Sequence, residues 1–201
     1  CVGKVERGLK RRKYAGFVIE PLMQGAAGMI AHPEGWLAKV SEMARVNGAQ
    51  LIADEVMTGF GRTGKFLACQ TEIVRPDFLC LAKGMTGGYL PMAVTLTTQE
   101  VFDAFLGDYE EFKAFFHGHS FTGNQLGASA ALASLDILNS ASCTQTRRKL
   151  ATYLHRELET LWALAHVGDV RRVGLVAGVE LVADWKTREE YPLGAQTGIR
   201  V

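Results

Sequence analysis

The chain has 201 residues, of which 48% are hydrophobic, enough to form a substantial core in one domain or in one domain and part of another. Its 22 basic and 21 acidic side chains give a formal net charge of +1, so the composition carries no electrostatic signature of a protein that binds nucleic acid or an anionic membrane. No apolar run approaches the roughly 18 residues of a membrane-spanning helix, and the N-terminal stretch lacks the apolar segment of a signal peptide.

Short apolar runs alternate with a longer helical pattern in the first part of the chain. Residues 16–19 are typical of a buried strand that ends before Glu20. Apolar positions at three- and four-residue spacing then predict a helix over residues 36–46. A second strand is predicted over residues 49–53 and ends before Asp54.

The same alternation continues in the middle of the chain. Residues 78–82 predict a third strand, which ends at Lys83, and the alternating run at residues 91–97 predicts a fourth. Strands and helices that alternate in this way favour an α/β fold with a mostly parallel sheet.

Two helices and a pair of strands are predicted in the last third of the chain. One helix follows the turn at residues 122–124, and a second covers about residues 144–164. Residues 168–184 are typical of two edge strands. Because residues 139–142 interrupt the two helical patterns, we expect a domain change near residue 140.

The cysteines and the chain ends bear on the type of protein. Cys1, Cys69, Cys80 and Cys143 are widely spaced and form neither a CxxC pair nor a zinc pattern. We therefore expect reduced thiols in a cytoplasmic protein. The chain begins with Cys1 instead of Met, and residues 198–201 resemble the start of an element, so we expect a fragment of a longer chain.

Three chemically useful side chains fall at predicted strand ends, namely Glu20, Asp54 and Lys83. Ligands of parallel α/β sheets bind beyond the carboxyl ends of the strands. A lysine that forms a Schiff base and an aspartate that keeps a pyridine nitrogen protonated suit pyridoxal 5'-phosphate (PLP) chemistry. Simpler interpretations stay open: a turn-forming Asp, a solvated Lys, or half of a hard-metal site at Asp54-Glu55.

Longer motifs around these residues resemble one family. The strings are EPLMQG (residues 20–25), IADEVMTGFGRTG (52–64), Pro76-Asp77 and LAKGMTGG (81–88). In this order they closely resemble the class III aminotransferases, which are PLP enzymes of fold type I. The sequence departs from many members at Met57, where they have Gln to bond the cofactor.

Three further strings resemble one branch of that family, which forms 7,8-diaminopelargonate in biotin biosynthesis. They are MAVTLTT (residues 92–98), HGHSFTGNQL (117–126) and ASLDIL (133–138). The resemblance implies amino transfer to 8-amino-7-oxononanoate, with S-adenosylmethionine or lysine as the donor. Two alternatives stay open: another class III enzyme acting on ornithine, 4-aminobutyrate or an ω-amino acid, and a non-catalytic truncated fragment.

Residue roles follow from the matched positions. The resemblance implies that Lys83 is the catalytic Schiff-base lysine and that Asp54 pairs with the pyridine nitrogen. It implies that Val56 packs on the cofactor ring and that Ser120 binds the cofactor phosphate across a homodimer interface. The matched positions also assign Glu20 to the cofactor site and Gly118 and His119 to substrate binding. No metal site is expected.

The resemblance also predicts the architecture and the partners. Residues 1–140 correspond to the C-terminal part of the PLP-binding large domain, and residues 141–201 to the beginning of the small C-terminal α+β domain. The predicted partners are a small-molecule amino donor, a keto acceptor and a second copy of the chain. Neither nucleic acid nor a membrane is expected as a partner.

Overall fold

The computed structural model describes residues 2–11 and 14–201, so Cys1 lies outside the described residues. The strands are β1 (Gly16–Ile19), β2 (Met23–Gln24), β3 (Ile30–Ala31), β4 (Gln50–Asp54), β5 (Phe78–Leu81), β6 (Val94–Thr97), β7 (Val167–Val173), β8 (Val176–Asp184) and β9 (Glu189–Glu190). The α-helices are α1 (Val2–Lys10), α2 (Trp36–Val46), α3 (Gln99–Asp103), α4 (Gln125–Asn139), α5 (Ala141–Thr160) and α6 (Thr197–Arg200).

The main sheet has four strands in the order β1-β4-β5-β6. Strands β1, β4 and β5 are parallel to one another. Ile19 of β1 lies beside Ala53 of β4, and Asp54 of β4 lies beside Cys80 of β5. Strand β6 pairs antiparallel to β5 at the edge. The predicted α/β fold with a mostly parallel sheet is therefore confirmed. Because the parallel strands are in register, their carboxyl ends lie at one edge of the sheet.

Helix α2 covers one face of this sheet. Its inward positions Leu37, Val40 and Ala44 are fully buried and recur at three- and four-residue spacing, as the sequence predicted. Leu37 and Val40 belong to a cluster with Leu51 and Ala53 of β4. This packing fixes β4, and with it the position of Asp54 at the strand end.

The last third of the chain contains two long helices and a separate antiparallel sheet. Helices α4 and α5 meet at Ser140, whose hydroxyl accepts a hydrogen bond from the Cys143 amide and caps α5. The predicted interruption at residues 139–142 is therefore observed, although α5 begins and ends a few residues earlier than expected. Strands β7, β8 and β9 form a three-stranded sheet in that order.

Backbone contacts join this second sheet to the loops around the main sheet. The Leu175 amide donates to the Arg62 carbonyl at 2.7 Å. The Arg171 guanidinium donates to the carbonyl oxygens of Gly28 and Met29, each at 3.1 Å. The Arg147 side chain lies against Gly61. Main-chain carbonyls of the loops around the main sheet thus accept hydrogen bonds from one amide and one arginine side chain of the second sheet.

Two predictions from composition bear on the described chain as a whole. Cys69, Cys80 and Cys143 are free thiols in the structure, and the reduced state of the protein stays a prediction. Across residues 2–11 and 14–201, no helix is both long enough and apolar enough to cross a membrane.

Candidate active site

Three predicted site residues follow neighbouring strands at the same edge of the sheet. Glu20 comes directly after β1, Asp54 ends β4, and Lys83 follows β5 by two residues. The pairing of Asp54 with Cys80 on the adjacent strand places Lys83 just beyond Asp54 along the edge. The structure therefore brings these side chains to the edge where ligands bind in parallel sheets.

Lys83 begins a tight 3-10 turn, Lys83–Thr86, with a left-handed backbone at φ +46°. This conformation costs a residue with a Cβ atom about 1–2 kcal/mol and persists only where its surroundings hold it. The Met85 amide donates to the Ala82 carbonyl at 3.0 Å, and the Thr86 hydroxyl donates to the Leu90 carbonyl at 2.6 Å. These bonds hold the turn in its strained form.

Lys83 lines a cavity of about 1040 Å³ together with His119. The other lining residues are Thr86, Gly88, Leu90, Pro91, Met92, Ala93, Phe121, Thr122, Gly123 and Asn124. Two of the predicted site residues, far apart in sequence, thus face one space. Gly118 and Ser120 flank His119 in an exposed segment but do not line the cavity.

Asp54 and Val56 are joined by a local hydrogen bond. The Val56 amide donates to Oδ1 of Asp54 at 3.0 Å, and both side chains are half-buried. Within the described part of the chain, Oδ2 of Asp54 has no hydrogen-bond partner. The turn therefore fixes the carboxylate while leaving one oxygen for another donor. Neither residue lines the cavity at Lys83.

Glu20 holds the loop that follows β1. Its Oε2 accepts a hydrogen bond from the Gly25 amide at 2.8 Å, and its carbonyl lies 3.2 Å from Nε2 of His32. Burial lowers the pKa of His32, and the hydrogen bond to Glu20 partly opposes that shift. Gly25 packs against Met57, so Glu20 shapes the surroundings of the β4 end.

The sequence left open a hard-metal site at Asp54-Glu55, and the structure gives the Glu55 carboxylate another role. Its buried carboxylate accepts hydrogen bonds from the amides of Ala68 and Cys69, at 2.6 and 2.8 Å. Burial, with the nearby Glu55 carboxylate, raises the pKa of the Cys69 thiol. In the described ranges, no group of three or more His, Cys, Asp or Glu side chains is arranged to hold a metal ion.

The residues at this edge fit PLP in size and chemistry. The cavity is large enough for a cofactor with substrate. It contains a lysine amine, and a carboxylate with one free oxygen lies at the adjacent strand end. Sequence reasoning missed the hydroxyls of Thr86 and Thr122 in the cavity wall, because single threonines in loops give no pattern.

A comparison with family models matches residues 2–201 to "Aminotransferase class-III". The chain belongs to the class III aminotransferase family. The family was predicted from the motifs around Asp54 and Lys83, and that prediction is confirmed. The type I fold of PLP-dependent transferases is confirmed as well, since the solved structures that match are transaminases.

Individual aminotransferases are similar to this chain over its full length. The chain is 49% identical to adenosylmethionine-8-amino-7-oxononanoate aminotransferase from Nitratidesulfovibrio vulgaris, with 100% of this chain and 38% of the relative covered. It is also 49% identical to the enzyme of that name from Geobacter sulfurreducens, covering 100% of this chain and 45% of the relative. The chain therefore spans about two fifths of the length of these relatives.

Solved structures of aminotransferases superpose closely on this chain. The crystal structure of adenosylmethionine-8-amino-7-oxononanoate aminotransferase from Methanocaldococcus jannaschii has a TM-score of 0.95 and 42% identity, covering 100% of this chain and 47% of that one. An (S)-enantioselective omega-transaminase from Thermomicrobium roseum has a TM-score of 0.89 and 33% identity, covering 98% and 44%.

Proposed function

We propose that the full-length protein is a PLP-dependent aminotransferase that transfers an amino group to 8-amino-7-oxononanoate. The product is 7,8-diaminopelargonate, an intermediate of biotin biosynthesis. One observation carries this proposal: Lys83 opens into a large cavity from the strand end next to Asp54. The relatives at 49% identity carry the name of this activity.

Each residue has a role in this proposal. When bound, PLP would supply an aldehyde carbon for attachment to the Lys83 amine and a pyridinium ring able to take up the electron pair left when the substrate loses a proton. Once the amine of the substrate has replaced Lys83 on the aldehyde carbon, the released Lys83 amine would act as the base and acid that moves this proton, a role worth about 10²–10⁴-fold in rate. The Asp54 carboxylate keeps the ring nitrogen protonated.

The remaining assignments concern the cofactor periphery and the substrate. We assign Val56 to packing on the ring, Ser120 to the phosphate, and Glu20 to shaping the loop beside Met57. The His119 side chain lines the Lys83 cavity and supports a role in substrate binding for the segment that includes Gly118. The proposed division places residues 1–140 in the large domain and residues 141–201 in the small one.

Homodimer formation is the second part of the proposal. Ser120 lies in an exposed segment rich in aromatic side chains, in which Tyr109, Phe112, Phe116 and Phe121 are between 73% and 87% exposed. Apolar surface of this extent is typical of an interaction site. A second copy covering this segment would bring Ser120 to the partner's cofactor.

The cytoplasmic location stays a prediction.

A different class III substrate is the second candidate function, since an omega-transaminase structure superposes with a TM-score of 0.89. Assays of the full-length protein with lysine, S-adenosylmethionine and alanine as donors distinguish the two. We expect 7,8-diaminopelargonate to form from 8-amino-7-oxononanoate with lysine or S-adenosylmethionine. Turnover of alanine with an ω-keto acid alone supports the second candidate instead.

The attachment residue is tested independently of the substrate. Borohydride reduction of the full-length protein with PLP, followed by peptide mass spectrometry, is expected to label Lys83. Lys83→Ala removes the label and the yellow absorbance, while the exposed Lys65→Ala retains both. Label on another lysine, or undiminished absorbance in Lys83→Ala, contradicts the proposal. A protein that neither binds PLP nor transfers amino groups corresponds to the non-catalytic alternative.

A further inference from the structure

The turn that carries Lys83 is attached to helix α4, forty residues further along the chain. Gly84 is pressed against the Phe60 ring, since a Cβ atom at Gly84 would lie 3.1 Å from Phe60 Cβ. Met85 and Leu81 pack with Phe60 and with Ala131 of α4 in one buried cluster. The turn thus packs against apolar side chains of two segments, Phe60 on one side and Ala131 of α4 on the other.

One polar bond connects the same helix to the turn. The Ser134 hydroxyl of α4 donates to the Gly84 carbonyl at 3.2 Å, and the two residues are 50 positions apart in the sequence. The Gly84 carbonyl also accepts from the Gly87 amide at 3.2 Å, the bond that closes the turn. Ser134 therefore acts on the Gly84–Met85 peptide group, the second peptide group after the strained Lys83.

We propose that Ser134 is a positioning residue that keeps the left-handed Lys83 turn in the conformation needed to bind PLP. This inference rests on the proposed role of Lys83. A strained conformation persists only where the surroundings hold it. The apolar cluster fixes where the turn lies, but the directional bond from Ser134 fixes the orientation of the Gly84–Met85 peptide group within the turn that Lys83 begins.

The expected consequence is a weaker attachment of the cofactor. Attachment joins Nζ of Lys83 to the aldehyde carbon as a C=N bond and releases the aldehyde oxygen as water. A turn that samples other conformations presents the amine correctly for a smaller fraction of the time. One ordinary hydrogen bond corresponds to about a five-fold change in an equilibrium constant.

The test compares three variants of the full-length protein: Ser134→Ala, the hydroxyl-retaining Ser134→Thr, and Ser129→Ala as an exposed control on the same helix. We expect Ser134→Ala to raise the PLP dissociation constant about five-fold and to lower kcat with KM unchanged. Ser134→Thr restores both values toward those of the unsubstituted protein, and Ser129→Ala leaves them unchanged.

A second measurement does not require bound cofactor. The amides of Met85 and Gly87 donate within the turn, so their hydrogen exchange in cofactor-free protein reports its opening. We expect faster exchange at both amides in Ser134→Ala only. Lower thermal stability of Ser134→Ala with unchanged exchange and PLP affinity overturns the inference, because Ser134 would then be only structural.

The outcome is separable from that of the proposed function. If the unsubstituted protein shows no PLP attached to Lys83, the proposed function fails. Amide exchange still decides whether Ser134 holds the turn: unchanged exchange in Ser134→Ala overturns that part as well.

Discussion

Gly174 lies in the turn between β7 and β8 of the second sheet. It contacts the Gly-rich segment, residues 58–64, which follows β4 of the main sheet, and replacement of Gly174 by Ala tests this contact. Gly174 has a left-handed backbone at φ +61°. A Cβ atom there would lie 2.5 Å from the Arg62 carbonyl oxygen and 2.8 Å from the Thr63 Cα. Because both obstacles are backbone atoms, Gly174→Ala must push the two segments apart.

The magnitude has three parts. The left-handed conformation costs Ala about 1–2 kcal/mol. Separation of the segments weakens the bond from the Leu175 amide to the Arg62 carbonyl, which contributes about 1 kcal/mol. Overpacking adds about 1–3 kcal/mol. We therefore expect Gly174→Ala to lower the free energy of unfolding by about 3–6 kcal/mol.

Gly48→Ala is the matched control. Gly48 also has a left-handed backbone, at φ +70°, but nothing lies within 4 Å of a Cβ atom there. It should cost about 1–2 kcal/mol, the conformational part alone. Urea unfolding followed by far-ultraviolet circular dichroism measures both variants. Equal losses in the two variants would refute the reasoning, because the close approach at Gly174 would then contribute nothing.

Three further substitutions test other contacts. Glu55→Gln should lower the free energy of unfolding, measured in urea, by about 2 kcal/mol. The carboxylate accepts hydrogen bonds from two backbone amides, and the NH₂ group of Gln would face one of these donors instead of accepting from it. Burial lowers the pKa of His32, so near its ordinary pKa the unfolded chain takes up a proton that the folded chain does not. The free energy of unfolding should therefore fall as the pH drops below about 6.5. His32→Gln should lose less of this free energy between about pH 7.5 and 5.5, and an equal loss in both proteins would contradict the prediction. Arg171→Lys should lower the free energy of unfolding by about 1–2 kcal/mol, because one ammonium group cannot replace the two guanidinium hydrogen bonds to the carbonyls of Gly28 and Met29. An unchanged midpoint of urea unfolding would show that this contact does not stabilise the fold.

The strand ends and the residues on them could be predicted from the sequence for a physical reason. Buried parallel strands are continuous apolar runs, and each run here stops at a polar residue: Glu20, Asp54 or Lys83. Side chains at such stops lie at one edge of the sheet, so their proximity follows from topology without any knowledge of loops. The main features of the Lys83 site were accessible for this reason.

Other features could not be predicted because they depend on contacts between distant segments. The bond from Ser134 to the Gly84 carbonyl joins residues 50 positions apart and has no local signature. Strands β2 and β3 have two residues each, too short for an alternating pattern. The sequence showed Glu55 only as the neighbour of Asp54, whereas its function is to cap the backbone of residues 68 and 69.

The Gly-rich segment, residues 58–64, connects these observations. Phe60 packs against Gly84 beside Lys83, Gly61 lies against Arg147 of α5, and the Arg62 carbonyl accepts from Leu175 beyond β7. Consecutive residues of one segment therefore contact the Lys83 turn, helix α5 and the second sheet. A side chain at Gly61 would lie 2.5 Å from the Arg147 Nε atom, so the small residues serve close approach between chain segments. The close approach of Arg147 explains the glycine at position 61.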